Sequence, residues 1–302
     1  MNDSPISKIT LDGRDFLVKR DDLIDPYLAG NKYRKLYPLL QTPSNKLNRI
    51  ISYGGTQSNA MLAIAAMCKN KGWEFIYYTK TLSKIQREQN CANYFHAKRL
   101  GMCHMEVERD RYKQQITTLR PNLDEKTFII DQGGAIVEAK EGLEVLAKEI
   151  REVNLTSKSL ARDFSTGGTY LNIKSLATPS GTGTTALYLA LALPEYRVYT
   201  TPAIGNVEYL KEQMEALHKI PDNLVILKPK RKYHFAKLYP EFLEIYKKTL
   251  ASGIEFDLLY APGMWKAILE QTDEDILYIH SGGVSGNESM LQRYRQKGME
   301  ID

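Results

Sequence analysis

Short apolar runs alternate along most of the chain with stretches whose apolar residues recur at helical spacing. A parallel sheet with crossover helices produces this alternation, so the pattern predicts an α/β fold of open, mostly parallel sheets with helices on both faces. The clearest unit is a strand at Ile50 to Tyr53, the turn Gly54-Gly55, and a helix from Ser58 to Lys69 that turns Met61, Leu62, Ile64, Ala65 and Met67 inward. Lys71-Gly72 then supplies a helix stop. Further strands are expected at Phe75 to Tyr78, Cys103 to Val107 and Phe128 to Ile130, with a helix from Ser83 to Leu100 closing at Gly101. A second series follows at Leu176-Ala177, Arg197 to Thr201, Leu224 to Leu227, Leu258 to Tyr260 and Ile276 to Ile279, separated by helical patterns such as Val207 to His218.

The chain has 302 residues, 43% of them hydrophobic, which is too long for one comfortable core and suggests two lobes. The polar stretches Gln41 to Lys46 and Pro121 to Lys126 are the best boundaries in the first half. They predict a smaller lobe, residues 43–125, inserted into a larger lobe made of residues 1–42 and 126–302.

Composition narrows the partners. The net charge of +5 is interleaved along the chain, which reads as a solvated surface with a mild preference for anions. Lys228 to Lys232 with Tyr233 and His234 lacks the aromatic platform of a nucleic-acid site, so no nucleic acid is expected. Cys68, Cys91 and Cys103 are odd in number and lack C-x-x-C spacing, which argues against a disulfide framework or a metal site and fits a reducing cytoplasm. The start of the chain does not read as a signal peptide, and no apolar stretch approaches the roughly 18 residues of a membrane span. A soluble cytoplasmic protein that does not bind membranes is expected.

The chemistry gathers at glycine turns. Gly54-Gly55, Gly133-Gly134, Ser180 to Gly183 and Gly282-Gly283 each lie just past an expected strand end, where open parallel sheets bind ligands, so they predict one shared cleft. Ser180-Gly181-Thr182-Gly183-Thr184-Thr185 opens the apolar helix Ala186 to Leu193, and its free N–H groups and hydroxyls suit a phosphate, although such a turn also serves as a plain helix cap. It has neither P-loop nor dinucleotide spacing. Gly30-Asn31-Lys32 precedes a helix expected from Tyr33 to Leu40, and the dipole at a helix start opposes a cation there. A lowered pKa suits an amine that forms Schiff bases, whereas the plain alternative is one solvated charge among 41 lysines and arginines. In Gly54 to Asn59, Ser58 is either a helix N-cap or, with Gln57 and Asn59, part of a set of donors for a substrate carboxylate. Ser281 and Tyr260 end expected strands with hydroxyls that can face the cleft, a tyrosine in that place also being ordinary core.

Taken together, Lys19 to Asp22, Gly30 to Leu36, Gly54 to Asn59, Thr182 to Thr185, Asp257 to Tyr260 and His280 to Gly283 resemble, in the same order, the pyridoxal-phosphate-dependent family of 1-aminocyclopropane-1-carboxylate deaminase and D-cysteine desulfhydrase. The resemblance implies the tryptophan-synthase-β-like fold, pyridoxal 5'-phosphate as cofactor, a small amino-acid substrate and a homodimer. It implies Lys32 as the Schiff-base lysine and Lys35 as a second lysine that reaches the phosphate, which Thr182, Gly183, Thr184 and Thr185 would cup. It also implies Asn59 at the cofactor's phenolic oxygen, Ser58 beside the substrate with the amides of Gln57 or Asn59 near its carboxylate, Tyr260 as the active-site tyrosine, and Ser281 at the pyridine nitrogen.

Two departures bear on the substrate. In the cyclopropane deaminases the tyrosine is followed by glutamate and the late motif reads His-Leu-Gly-Gly, whereas here Ala261 follows Tyr260 and the late motif is His280-Ser281-Gly282-Gly283. Both departures favour β-elimination from a cysteine-like or serine-like amino acid, with D-cysteine desulfhydration first and cyclopropane deamination second. A cofactor-binding protein with little catalysis is the non-enzymatic alternative.

Overall fold

The computed structural model describes residues 4–28, 30–88, 92–134, 136, 138–160 and 173–301. Its strands are β1 (Ile6–Leu11), β2 (Arg14–Lys19), β3 (Arg49–Tyr53), β4 (Glu74–Lys80), β5 (Cys103–Val107), β6 (Thr127–Ile130), β7 (Ser175–Ala177), β8 (Arg197–Thr200), β9 (Leu224–Ile226) and β10 (Ile276–Ile279). Its helices are α1 (Gly30–Lys35), α2 (Tyr37–Gln41), α3 (Asn59–Lys71), α4 (Lys84–Glu88), α5 (Ala92–Arg99), α6 (Tyr112–Leu119), α7 (Ala139–Leu160), α8 (Thr184–Ala192), α9 (Val207–Glu215), α10 (Pro240–Ala251), α11 (Ala261–Gln271) and α12 (Asn287–Gln296). The strands form a six-stranded sheet, β1-β2-β10-β7-β8-β9, and a four-stranded sheet, β5-β4-β3-β6. Every pairing is parallel except β1 with β2, so the expected α/β architecture is what the chain adopts.

Parallel strands covered on both faces read as unbroken apolar runs, and β10 is buried at all four positions. One apolar cluster runs through both sheets, with Leu17, Leu176 and Leu277 from the larger, Ile50 and Phe75 from the smaller, and Met61 and Leu187 from the helices α3 and α8. A second cluster on the larger sheet centres on Trp265, which stacks on Tyr278 at 4.2 Å and meets Phe16 and Phe256 edge-on. Among the described residues no helix is long and apolar enough to cross a membrane.

Several expectations are corrected. The hairpin β1–β2 was not foreseen, although its two-residue turn is Asp12-Gly13, both at positive φ (48° and 78°), the dipeptide and geometry that such hairpins favour. Leu258 to Tyr260 is a turn rather than a strand, because the Asp257 carboxylate accepts the N–H of Leu259 at 3.0 Å and of Tyr260 at 2.6 Å. The helix expected from Tyr33 to Leu40 starts at Gly30 and breaks at Leu36, since Pro38 has no N–H to return to the Arg34 carbonyl. The helix expected from Ser83 to Leu100 is described as two pieces, α4 and α5, and Cys91 lies outside the described residues. Strand β6, at residues 127–130, pairs with β3 and completes the four-stranded sheet.

A buried charge network joins β2 to α1 and α7. Arg34 is bound to Asp21 at 2.8 Å and to Glu149 at 2.6 Å, and Lys19 lies 3.0 Å from Glu149. Ser4 donates to Asp21 at 2.6 Å and its carbonyl accepts from Lys19 at 2.5 Å. Two cations and two anions balance, which is the condition under which buried charges persist.

Candidate active site

Helix α1 presents two faces. Arg34 points into the charge network, while Lys32 and Lys35, three residues apart, share the opposite face and line a cavity of about 670 Å³. Lys32 Nζ donates to Asn31 Oδ1 at 2.7 Å. Loss of water lowers the Lys32 pKa from 10.5 to about 8, with Asp257 pulling in the other direction. Burial is thus the main cause of the lowered value. Lys35, whose Nζ lies 3.4 Å from the Gly133 carbonyl, is held well below the ordinary lysine range by burial and then by the Lys32 charge. Two amines facing one polar cavity favour an anionic ligand.

The second wall is the turn into α8. Gly183 caps this helix at φ 77°, which leaves the N–H groups of its first turn without intrahelical partners. The Thr182 and Thr184 hydroxyls lie 3.0 Å apart, and Thr185 Oγ1 is buried with no hydrogen-bond partner among the described residues. A buried hydroxyl is costly unless paired, so a ligand that accepts its proton belongs here. Gly133 faces this turn, and a Cβ there would stand 3.3 Å from Thr182 Cγ2.

The turn from β3 to α3 forms the third wall with Gln57, Ser58 and Asn59. Ser58 is the N-cap, its Oγ accepting the Met61 N–H at 3.2 Å, so the structural role weighed for it is filled while it also borders the cavity. Asn59 Oδ1 accepts from Asn93 Nδ2 at 2.7 Å, and the Ser289 hydroxyl lies 3.0 Å from Gln57 Oε1. With both oxygens engaged from behind, the amide N–H groups are what these side chains have left to offer.

The fourth wall comes from the larger sheet. Asp257 fixes the turn that carries Tyr260, and burial raises the Asp257 pKa to about 6. Burial and the neighbouring Asp257 raise the Tyr260 pKa as well, so this phenol keeps its proton. His280 is buried and its pKa lowered by burial; the Gly282 N–H lies 3.0 Å from its Nδ1 and the Glu255 carbonyl 2.9 Å from its Nε2. A neutral ring with its proton on Nε2 satisfies both contacts and locks the turn holding Ser281. The Ser281 carbonyl accepts from the Asn31 N–H at 3.3 Å, and a Cβ on Gly30 would collide with the Ser281 carbonyl group. Gly30 thus lets α1 close on this turn.

Lys32, Lys35, Gln57, Ser58, Asn59, Thr182, Gly183, Thr184, Thr185, Tyr260 and Ser281 all border the one cavity. Sequence reasoning missed Tyr53, Arg120 and Asp131 at its mouth, where Asp131 accepts from Tyr53 at 2.8 Å and from Arg120 at 2.6 Å. Tyr53 ends β3 and Asp131 follows β6, the strand ends where ligands were expected, so position was a usable signal. Ala261, the departure after Tyr260, opens α11 with Pro262 and Gly263, and it is buried in the Trp265 cluster rather than bordering the cavity.

No family model matches the chain. It is 25% identical to a protein of Pyrococcus furiosus named "putative 1-aminocyclopropane-1-carboxylate deaminase", over 93% of this chain and 88% of that protein. Among solved structures it is similar to an ACC deaminase homologue, with a TM-score of 0.77, 21% identity and coverage of 97% of this chain and 94% of that one. A hydrogen sulfide-producing enzyme from Fusobacterium nucleatum superposes with a TM-score of 0.60 at 14% identity, covering 93% and 96%. The fold of this chain is therefore the two-sheet α/β fold of these solved structures. The similarity to proteins named for 1-aminocyclopropane-1-carboxylate deaminase extends over nearly the whole chain. The residues present would fit pyridoxal phosphate: Lys32 is an amine of lowered pKa suited to an aldehyde, and the turn into α8 offers N–H groups and the Thr185 hydroxyl, which has no partner among the described residues, to a phosphate.

Proposed function

We propose that the chain is a pyridoxal-phosphate-dependent deaminating lyase that eliminates the β substituent of a small amino acid, with D-cysteine preferred. In that reaction the Cα–H, Cβ–S and Cα–N bonds break, Cβ takes up a proton, water supplies the keto oxygen, and pyruvate, ammonia and sulfide leave. The observation that carries this reading is the meeting, in one cavity, of an amine with a pKa of about 8 and a cup of free N–H groups and hydroxyls.

When bound, the cofactor supplies an electron sink for the carbon that loses its proton. Lys32 Nζ would hold its aldehyde carbon and, once the substrate amine has taken that place, accept the α-proton, a task for which a value near 8 is well matched. Lys35, Thr182, Gly183, Thr184 and Thr185 would hold the phosphate, Asn59 the phenolic oxygen, and Ser281 the pyridine nitrogen. A neutral hydroxyl at that nitrogen leaves it largely unprotonated, which suits prompt loss of a β leaving group. Gln57, Ser58 and Asn59 would orient the substrate carboxylate. Tyr260, which keeps its proton, is a hydrogen-bond donor toward the departing sulfur.

The name carried by the relatives favours a second reading, ring-opening of 1-aminocyclopropane-1-carboxylate to 2-oxobutanoate. Against it, the residue after Tyr260 is a buried alanine that adds no acid to the cavity.

Absorbance spectra of the purified protein, taken before and after D-cysteine, L-cysteine, D-serine and the cyclopropane amino acid, test both readings when combined with keto-acid assay. We expect a near-visible band that is absent in Lys32→Ala, and pyruvate from D-cysteine. Release of 2-oxobutanoate alone favours the second reading. A protein that cannot be reconstituted with pyridoxal phosphate sinks both.

A further inference from the structure

Behind the third wall lies a hydrogen-bond chain that crosses between the sheets. Asn93, on α5, is fully buried. Its Nδ2 donates to Asn59 Oδ1 at 2.7 Å and to the Gln57 carbonyl at 3.2 Å, and its Oδ1 accepts from Ser285 Oγ at 2.7 Å. The order of donors is forced. The Gln57 carbonyl can only accept, so the group facing it is the Asn93 NH2. That NH2 also faces Asn59, so Asn59 must meet it with oxygen and keep its own NH2 for the other side. Asn59 borders the cavity, and its Nδ2 packs against Gly283, where a Cβ would overlap it. The missing side chain at Gly283, which sits at φ 85°, makes room for that amide.

We propose that Asn93 is a positioning residue that fixes the amide of Asn59 as a donor, so that the cavity selects a ligand with an acceptor oxygen at that point. The inference rests on the proposed cofactor site, where that oxygen is the phenolic oxygen of pyridoxal phosphate. Without Asn93 the Asn59 amide is no longer held from behind, and ordering its N–H toward the ligand oxygen then costs part of the binding free energy. A substitution at Asn93 therefore acts through Asn59 and has nothing left to change once Asn59 is gone.

The test is a double-mutant cycle read as the dissociation constant for pyridoxal 5'-phosphate, titrated by absorbance against apo-protein, with thermal unfolding recorded for each variant. Asn93→Ala should weaken binding about tenfold, the scale of one hydrogen bond to a charged oxygen. Asn59→Ala should weaken it at least as much, and the double variant should bind no more weakly than Asn59→Ala alone. Asn93→Ser, which keeps a small donor, should recover part of the loss and guards against an alanine variant that does not fold. Wild-type affinity in the folded Asn93 variants, or a loss of equal size in the Asn59→Ala background, overturns the inference and leaves the cofactor site standing. A wild-type protein that binds no pyridoxal phosphate overturns the site and the inference together.

Discussion

Lys32 occupies a place where its charge is costly, and the pH dependence of its chemistry follows from that. Burial takes its pKa from 10.5 to about 8, so Nζ is mostly a cation below that pH and mostly a free amine above it. Capture of an aldehyde needs the free amine. The initial rate at which apo-protein develops a coloured band with pyridoxal phosphate should therefore rise with pH, reach half its limit near 8, and level off. Asp257, with a pKa of about 6, is ionised at neutral pH and raises the lysine's value through space. Asp257→Asn keeps an oxygen to accept the Leu259 and Tyr260 N–H groups but removes the charge, so the midpoint should move to lower pH. An unmoved midpoint would show that the two groups do not communicate. Residues that belong to glycine turns at strand ends, such as Thr184 and Asn59, could be read from the sequence because turn chemistry is local. Asn93 could not, since one asparagine inside a helical stretch has no spacing that sets it apart and its partners lie 34 and 192 residues away.

At the scale of elements, the sequence revealed the strands that are apolar on both faces and missed those whose pattern is mixed. Ile50, Ile51, Leu176 and Ile276 to Ile279 announce themselves, whereas Ile6 to Leu11 alternates apolar with polar residues at the edge of the sheet. Leu258 to Tyr260 looked like a strand because it is apolar, but the preceding aspartate folds it into a turn. The packing of α1 on α7 was also illegible, since it joins positions more than 100 residues apart. Helix α7 lies against the Arg34 carbonyl at Gly142, where a Cβ would collide with the carbonyl oxygen and with Tyr37 Cβ. Neither group can yield easily, because backbone and a Cβ are both fixed by the helix. Gly142→Ala should therefore push α7 off α1 and cost about 1–3 kcal/mol in urea unfolding, against the small gain alanine normally brings to a helix. Since α1 carries Lys32 and Lys35, the same variant should bind pyridoxal phosphate more weakly. A stability gain with unchanged binding would mean that the two helices are not in the contact described.

At the scale of the whole molecule, the question is whether two sheets make two folding units. We propose a smaller lobe that begins near residue 43 and, following the pairing of β6, runs to about residue 130. A chain of this length is usually expected to unfold in more than one step. Three features oppose that here: an apolar cluster shared by both sheets, the long helix α7 packed against α1, and the Asn93–Ser285 bond between a helix of one lobe and a loop of the other. None of them leaves a surface on which the small sheet could be exposed cheaply, since Leu17, Ile50 and Leu176 would lose their common burial at about 25 cal/mol for each Å² bared. The two tryptophans sit on opposite sides of the proposed division. Trp73 precedes β4 and donates to the Ser44 carbonyl at 2.7 Å, while Trp265 lies in the cluster of the larger sheet. In urea, the fluorescence of Trp73 in Trp265→Phe and of Trp265 in Trp73→Phe should each follow the far-ultraviolet circular dichroism of the same variant, with one midpoint and one slope. An earlier transition seen by Trp73 alone would mean that the smaller lobe opens by itself. The cavity lined from both sheets would then be assembled and lost without unfolding the strands that lead into the turn Thr182 to Thr185.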